Sequence, residues 1–422
     1  MKRSLLPSCQ RSWKSRSQLR AGPRRCRPVT AGLVLATAAL AGCASTISHQ
    51  ALQAVDETGR PRSPIATAEA SRAGKRIAIE GIALNNPEEM LDPSRQWQVF
   101  VQGEGADQSG TAVWAGRFYY PSQEAWDAEI ARLSASGLRA GDRVRVVGWA
   151  RAVSGKVNIT EHHSPDPAMD FEVTVIQPGA GLPEPELTTI AELRRFDPTR
   201  RSGGERYTGR RIRLLELCIA EGTWARNHRL LLRDTAGATL PLRLGNHPGF
   251  ASGQAPQAPF DLIAIGNQER ISDEGKPVPG SGLVDGYEVW LTDPAGAFLP
   301  GDTNADGRVD RTDVGPFAMA LNEPERYAAT ISGRDPVLQA DLNRAGLIDL
   351  ADVQPFAVRL ATSTGGSAEE IASDILRELG ADPAQQLPVA AIDPGAVAGC
   401  APPPSQRVGN LLPTLSGYGR PL

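Results

Sequence analysis

The stretch GLRAGDRVRVVGWARAVSGKVNIT, residues 137–160, decides the fold class of this chain. Val144 and Val146 alternate with the charged Arg143 and Arg145, and this period of two is typical of a strand with one buried face. A Gly-Asp turn comes directly before the strand. Similar short apolar runs separated by turn residues extend over residues 74–294, and they predict a mainly β, multidomain protein.

Two copies of one β unit can be aligned within this region, with openings 135 residues apart. The segments GKRIAIEGIA, WQVFVQG and the stretch quoted above belong to the first copy, and PEPELTTIAEL, GERYTGRRIRLLEL and HRLLLRDTAG belong to the second. They resemble the OB-like β-barrels that occur in tandem in secreted bacterial proteins, some of them beside extracellular nucleases. The resemblance implies two OB-like domains, at residues 74–180 and 184–295. The spacing of Trp126, Ile130 and Leu133 predicts a helix at residues 122–136 with Ser122 as its N-cap, and a five-stranded OB barrel would use such a helix as its plug.

The N-terminal segment has the composition of an export signal. Its first 42 residues hold nine Lys or Arg and no Asp or Glu, and they end in an apolar run of about thirteen residues. The closing Leu40-Ala41-Gly42-Cys43 resembles the lipobox of bacterial lipoproteins. The resemblance implies that residues 1–42 are removed, that Cys43 is acylated, and that the protein is exported and held on a membrane, periplasmic or at the cell surface. The small polar residues 43–73 are predicted to be a tether.

Removing that leader changes the charge balance. The whole chain has a net charge of -3, but without the leader 36 basic residues face 48 acidic ones, which leaves -12. An acidic chain of this kind excludes a strongly basic protein that coats nucleic acid. Cys218 and Cys400 would be the remaining thiols, and the sequence leaves open whether they form a disulfide or stay unpaired.

The strongest chemical motif is a loop of alternating oxygen side chains that begins at Asp302. Ca²⁺ takes six to eight oxygen ligands, so alternate residues of a tight loop must point inward around a glycine at the sixth position, here Gly307. A second copy starts 39 residues later, where Ala345 removes one ligand and predicts a weaker site. The predicted ligands are Asp302, Asn304, Asp306, Arg308 through its carbonyl, Asp310 and Asp313, then Asp341, Asn343, Leu347 through its carbonyl, Asp349 and Asp352.

Each loop continues into a Val-x-Pro-Phe-Ala segment, and residues 300–361 therefore resemble a type I dockerin, an EF-hand-like calcium module. The resemblance implies a small helical domain stabilised by Ca²⁺ that docks to a cohesin partner. Arg311-Thr312 and Leu350-Ala351, which follow the ninth loop position, differ between the copies, so cohesin recognition is doubtful. The last part, residues 362–422, is predicted to hold one helix, residues 367–379, and then a Pro- and Gly-rich tail.

Binding residues on the barrels are harder to assign. The aromatic candidates for a stacking platform lie in or beside strands, which favours the core for most of them: Trp97, Trp114, Tyr119, Tyr120, Trp149, Trp224, Tyr287 and Trp290. A run of arginines could bind an anion or form an ordinary solvated face: Arg194, Arg195, Arg200, Arg201, Arg206, Arg210, Arg211 and Arg213. No motif for nucleophilic, metal-hydrolytic or phosphoryl-transfer catalysis occurs.

The sequence therefore predicts a non-enzymatic, membrane-anchored surface lipoprotein that acts as a calcium-stabilised binding or docking protein. One alternative is a nucleic-acid-binding accessory protein that uses the arginines of the second barrel. Another is a dockerin-bearing component of polysaccharide-degrading machinery, and that alternative rests on family association alone.

Overall fold

The computed structural model describes residues 44–63, 76–153, 155–161, 164, 166–252, 254–256, 259–269, 284–331 and 335–381. The leader, Cys43, Cys400 and the tail beyond residue 381 lie outside these ranges. Within them, none of the helices combines the length and the apolar character needed to cross a bilayer.

The first barrel closes through a five-stranded sheet in the order β2-β3-β4-β6-β5, with β5 returning to pair with β2. The β4–β6 pair is parallel and the other pairs in the ring are antiparallel. Two further strands, β1 and β7, extend the sheet at its margins. The strands are β1 Ser45–Thr46, β2 Ile77–Ala83, β3 Gln96–Gln102, β4 Gly110–Gly116, β5 Arg143–Val153, β6 Lys156–Thr160 and β7 Glu172–Gln177. The helices are α1 His49–Leu52, α2 Pro87–Met90 and α3 Gln123–Ser134.

The second barrel repeats this topology. Its closed ring runs β9-β10-β11-β13-β12 and returns to β9, again with one parallel pair, β11–β13. The strands are β8 Glu186–Leu187, β9 Arg211–Glu221, β10 Arg229–Arg233, β11 Thr239–Leu244, β12 Phe260–Gln268, β13 Tyr287–Leu291 and β14 Ala297–Phe298. The helices are α4 Ile190–Leu193, α5 Gly203–Tyr207 and α6 Gly249–Ser252. The prediction of a mainly β chain with two barrels is confirmed, and both five-stranded rings are consistent with the OB-like resemblance.

The plug helix of the first barrel also forms where its spacing predicts. The Ser122 hydroxyl accepts a hydrogen bond from the Ala125 N–H at 3.1 Å and caps the start of α3. Trp126 and Leu133 point into the barrel core, and the indole of Trp126 donates to the carbonyl of Pro93 at 2.9 Å. The bonded indole leaves no unpaired polar group under the helix at this position.

The predicted tether is wrong for residues 44–63. This segment forms β1 and α1 and packs on the first barrel, with Leu52 and Val55 buried. Small polar residues suggested a solvated linker, but the few apolar side chains among them find a place against the barrel wall and remove their surface from water. Residues 64–73 of the predicted tether lie outside the described ranges.

The two barrels share an apolar contact. Phe100 and Ala112, on the outer face of the first barrel, cluster with Ile265 and Trp290 of the second. The rings of Phe100 and Trp290 meet edge to face at 6.3 Å between centroids. Lys156 is buried at the same junction and donates to Asn267 Oδ1 at 2.6 Å. The outer face of β3 and β4 is therefore covered by protein.

The C-terminal helices pack on the second barrel. They are α7 Val314–Asn322, α8 Pro324–Thr330, α9 Pro336–Ala340, α10 Val353–Thr364 and α11 Ala368–Glu378. Phe317 and Phe356, which occupy the same place in the two Val-x-Pro-Phe-Ala segments, stack face to face at 4.1 Å. Both belong to one hydrophobic core that also contains Leu214 and Leu262 of the barrel. The helix predicted at residues 367–379 is confirmed as α11, capped by the Ser367 side chain.

Candidate functional site

The first loop folds around the carboxylate of Asp302. Its Oδ1 accepts from the Asp306 N–H and its Oδ2 from the Gly307 N–H, both at 3.0 Å. Asn304 Oδ1 accepts a second bond from the Asp306 N–H at 2.9 Å. At the far end, Asp313 accepts from the N–H groups of Asn304 and Asp310 at 3.0 and 2.8 Å. The first and twelfth positions of the loop thus turn their carboxylates inward.

The second loop repeats this pattern position by position. Asp341 accepts from the N–H groups of Ala345 and Gly346 at 2.9 and 2.7 Å. Asp352 accepts from the N–H groups of Asn343 and Asp349 at 2.9 and 3.0 Å. The loss of a side-chain oxygen at Ala345 leaves the backbone course intact, because the bond at this position comes from the backbone N–H.

The backbone dihedral angles of the two loops also correspond position by position. The fourth and sixth positions have positive φ in both loops: 63° at Ala305 and 87° at Gly307, then 62° at Arg344 and 82° at Gly346. Positive φ is rare outside glycine and persists where the surrounding structure imposes it. The sharp turn predicted at the sixth position is therefore present in both copies.

The inward-facing carboxylates bring several negative charges close together in each loop. Asp313 and Asp352 are fully buried, and within the described ranges neither forms an ion pair with Lys or Arg. Burial, with repulsion from the carboxylates of Asp302 and Asp306, raises the pKa of Asp313 to about 6. Burial and the carboxylate of Asp341 likewise raise the pKa of Asp352. A bound cation would offset this repulsion. The side-chain oxygens of the loops are the type of ligand that a hard divalent ion prefers.

Among the residues that the structure describes, no three His, Cys, Asp or Glu side chains lie together at metal-binding distances. The predicted ligands include four Asp side chains in the first loop and three in the second, and these carboxylates are not grouped closely enough in this structure to hold an ion by themselves. The calcium ligands therefore stay a prediction.

The second loop contacts the barrel through charged side chains. Arg344 lies 3.3 Å from Glu216 Oε1 and 3.9 Å from Asp261 Oδ1. Asp261 is buried and also pairs with Arg213 at 2.7 Å. Arg359, on α10, donates to the carbonyl of Pro259 at 3.2 Å. These contacts join the loop, the helix behind it and the barrel wall.

Sequence reasoning missed this junction. A signal for it exists, because Asp261 interrupts the otherwise apolar run FDLIAI of β12, and a carboxylate in such a strand requires a cationic partner. The identity of the partner was not readable, since Arg344 lies 83 residues away along the chain.

The predicted anion-binding arginines are mostly engaged inside the protein. Arg200 is buried against Glu205 at 3.1 Å, and Arg195 pairs with Glu192 at 2.9 Å. Arg206 and Arg210 both pair with Glu186, Arg213 pairs with Asp261, and Arg211 donates to the carbonyl of Pro183. Arg194 and Arg201 are exposed. Internal pairing leaves this run with far less charge to offer a phosphate than its composition suggests.

The aromatic candidates divide into two groups. Trp97, Trp149, Tyr287 and Trp290 are buried, as the core interpretation predicts, whereas Trp114, Tyr119, Tyr120 and Trp224 are partly exposed. Phe118, which the sequence did not single out, is 57% exposed and lies 5.3 Å from the Tyr119 ring between centroids.

Cys218 is in a disulfide. Its partner lies outside the described residues, as do all four other cysteines of the chain, Cys400 among them. The proposed lipidation residue Cys43 lies outside them as well. Pairing of Cys218 with Cys400 therefore stays a prediction.

No protein-family model matches this sequence, and no curated protein matches it.

Proposed function

We propose that this chain is a non-enzymatic, exported lipoprotein, anchored through acylated Cys43, whose paired calcium loops clamp the C-terminal helices onto the second barrel and stabilise a binding surface. The anchor rests on the lipobox resemblance and the calcium on the loop motif. The clamp rests on the contacts between the second loop and the barrel.

The observation that carries the proposal is the repeated geometry of the two loops beside a barrel contact. Asp302 and Asp341 accept the same pair of backbone N–H bonds, and the second loop extends Arg344 to Glu216 of the barrel. Ca²⁺, when bound, would neutralise the buried carboxylates and hold the loop ends together. The chain's own residues then keep Arg344 and Arg359 in register with the barrel.

The shared core favours an internal role for the module over a freely docking one. Phe317, Phe356 and Leu360 belong to the same core as the barrel residue Leu214, and Ile371 and Ile375 of α11 complete it. A module that binds a partner as a separate body would keep a core of its own. We therefore infer that calcium stabilises the array, and that any external ligand is bound by the assembled body.

Calcium titration of the purified chain from residue 44 to residue 422 tests the clamp. We expect Ca²⁺ to raise the thermal midpoint, with a gain of about 2.7 kcal/mol at a hundredfold excess over the dissociation constant. Asp302→Ala should remove most of the gain and Asp341→Ala less of it, because Ala345 already weakens the second site. Glu325→Ala, an exposed acid on α8, is the matched control and should leave the gain unchanged.

Two results would contradict the proposed calcium clamp. If neither calorimetry nor the thermal midpoint responds to Ca²⁺ or to a chelator in the wild type, the loops do not bind calcium. If calcium binds but leaves the unfolding of the second barrel unchanged, the loops bind the ion without clamping the module.

A further inference from the structure

The residues that follow the proposed acylation site belong to the first barrel. In β1, Ser45 pairs with Ile77 and Thr46 with Ala78 in parallel register, and the Ile47 N–H donates to the Ala78 carbonyl at 2.9 Å. Only Ala44 separates Cys43 from this strand.

Side-chain contacts hold the segment in place beyond the strand itself. Arg145 of β5 donates to the Ala44 carbonyl at 3.3 Å and to Thr46 Oγ1 at 3.1 Å. His49 is fully buried, with its Nδ1 2.9 Å from Thr111 Oγ1 and its Nε2 3.1 Å from the Glu80 carbonyl. These bonds satisfy both ring nitrogens and fix α1 on the barrel.

A second attachment lies one turn further on. The Gln53 amide donates to the Val157 carbonyl at 2.6 Å and accepts from the Val157 N–H at 3.0 Å, as a neighbouring strand would. Releasing the segment would leave this buried pair without partners, at a cost of about 1–3 kcal/mol for each group. The segment from Ala44 to Gln53 is therefore part of the folded barrel.

The reach of the anchor follows from covalent geometry. Consecutive Cα atoms are about 3.8 Å apart, so a link of two peptide units spans at most about 8 Å. A flexible tether of thirty residues would instead allow an end-to-end distance of about 30 Å.

We propose that the first barrel lies directly on the lipid headgroups, with the sheet margin formed by β1, β2, β5 and β7 facing the membrane. This inference rests on the proposed acylation of Cys43. Its partner is a membrane surface, contacted because the acyl chains have almost no spacer to the barrel.

The charges at this margin indicate what kind of contact it is. Arg145 pairs with Glu80, Arg143 with Glu104, and Arg76 with Glu172, so these three cations of the described part of the margin are matched by carboxylates. A matched surface gains little from anionic lipids. Attachment should therefore depend on the acyl chains, and neither salt nor the fraction of anionic lipid should change it.

A spacer insertion tests the apposition on the acylated, full-length protein in vesicles. A fluorophore at Thr174→Cys marks β7, because Thr174 is exposed and is the cross-strand neighbour of Arg145. We expect a quencher on the lipid headgroup to quench this fluorophore strongly in the wild-type background. Twenty Gly and Ser residues inserted between Cys43 and Ala44, with an r.m.s. length of about 25 Å, should lower quenching at least about twofold.

The controls separate this inference from the proposed anchor. Cys43→Ala should release the protein from membranes, and a wild-type protein that carries no acyl chain would refute the anchor itself. If the protein is acylated and membrane-bound but the spacer leaves quenching unchanged, the anchor stands and the apposition is wrong. Binding of the wild type that falls with added salt would contradict attachment through the acyl chains alone.

Discussion

Replacing Glu161 with Gln should change how the stability of the protein depends on pH. Glu161 follows β6 and is fully buried, with Oε1 accepting from the Gly116 N–H at 3.2 Å, and Oε2 has no hydrogen-bond partner among the residues that the structure describes. Burial, with repulsion from Glu129 and Asp170, raises the pKa of Glu161 from 4.5 to about 7. The folded protein therefore prefers the protonated carboxyl in a range where the unfolded chain is ionised.

The sign and size follow from proton linkage. Between pH 4.5 and pH 7 the folded state holds a proton that the unfolded state has lost, so stability falls as the pH rises through this range. At 1.36 kcal/mol for each tenfold change in proton affinity, the total loss is about 3 kcal/mol. Below pH 4.5 the stabilisation is fully present, and above pH 7 both states are ionised and the loss is complete.

Urea unfolding at pH 4.5, 6 and 8 measures this effect as the difference between Glu161→Gln and the wild type. We expect the two proteins to be nearly equal at pH 4.5 and the variant to be more stable by about 3 kcal/mol at pH 8, because the amide keeps the acceptor for Gly116 and carries no charge. Glu57→Gln, at an exposed position, is the matched control and should give a difference that is constant with pH.

Among the described residues, the charged groups that act on Glu161 are Asp170 and Glu129 of the plug helix, which pairs with Arg132. A difference between variant and wild type that stays the same from pH 4.5 to pH 8 would refute the reasoning. It would mean that the carboxyl of Glu161 has the same proton affinity in the folded and unfolded chain.

Two further substitutions test the junctions between the parts. Trp290→Ala should lower the free energy of unfolding by about 3–5 kcal/mol, because it removes the ring that packs against Phe100. Urea titration measures this loss, and a loss below about 1 kcal/mol would mean that the contact does not hold the barrels together. Arg344→Ala should cost below about 1 kcal/mol without calcium, since the pair with Glu216 is partly exposed. It should weaken calcium binding at the second loop and reduce the calcium-induced rise in thermal midpoint together, because that rise is set by the affinity of the folded state for the ion. An undiminished rise would exclude Arg344 from the clamp.

Features encoded by short-range patterns were predictable. The plug helix begins directly after its capping residue Ser122, and α11 begins directly after Ser367. Each cap is predictable because the serine oxygen bonds a backbone N–H only two or three residues further along the chain. The strands of both barrels follow from period-two alternation. The two turns at Gly307 and Gly346 follow from a residue type that adopts positive φ readily.

Features that depend on contacts between distant segments were not predictable. The sequence of residues 44–63 reads as a linker, and only the barrel wall supplies the bonds that order it. No local pattern in β3 marks Phe100 as part of a junction between domains, and only the second barrel shows that this side chain is covered. The arginine run reads as a basic patch until Glu186, Glu205 and Asp261 are brought to it.

The sequence by itself determined the two β units, the plug helix, the helix after Ser367 and the turns of the two Asp-rich loops, because alternation, capping and loop spacing act within about a dozen residues. The tertiary structure decided which surfaces remain open and which charges remain unneutralised. The segment after Cys43 joins the barrel, and Arg344 meets Glu216 across 128 residues of chain. Burial and ion pairing are properties of neighbours in space, and no local pattern specifies a neighbour that the folded chain brings from far away.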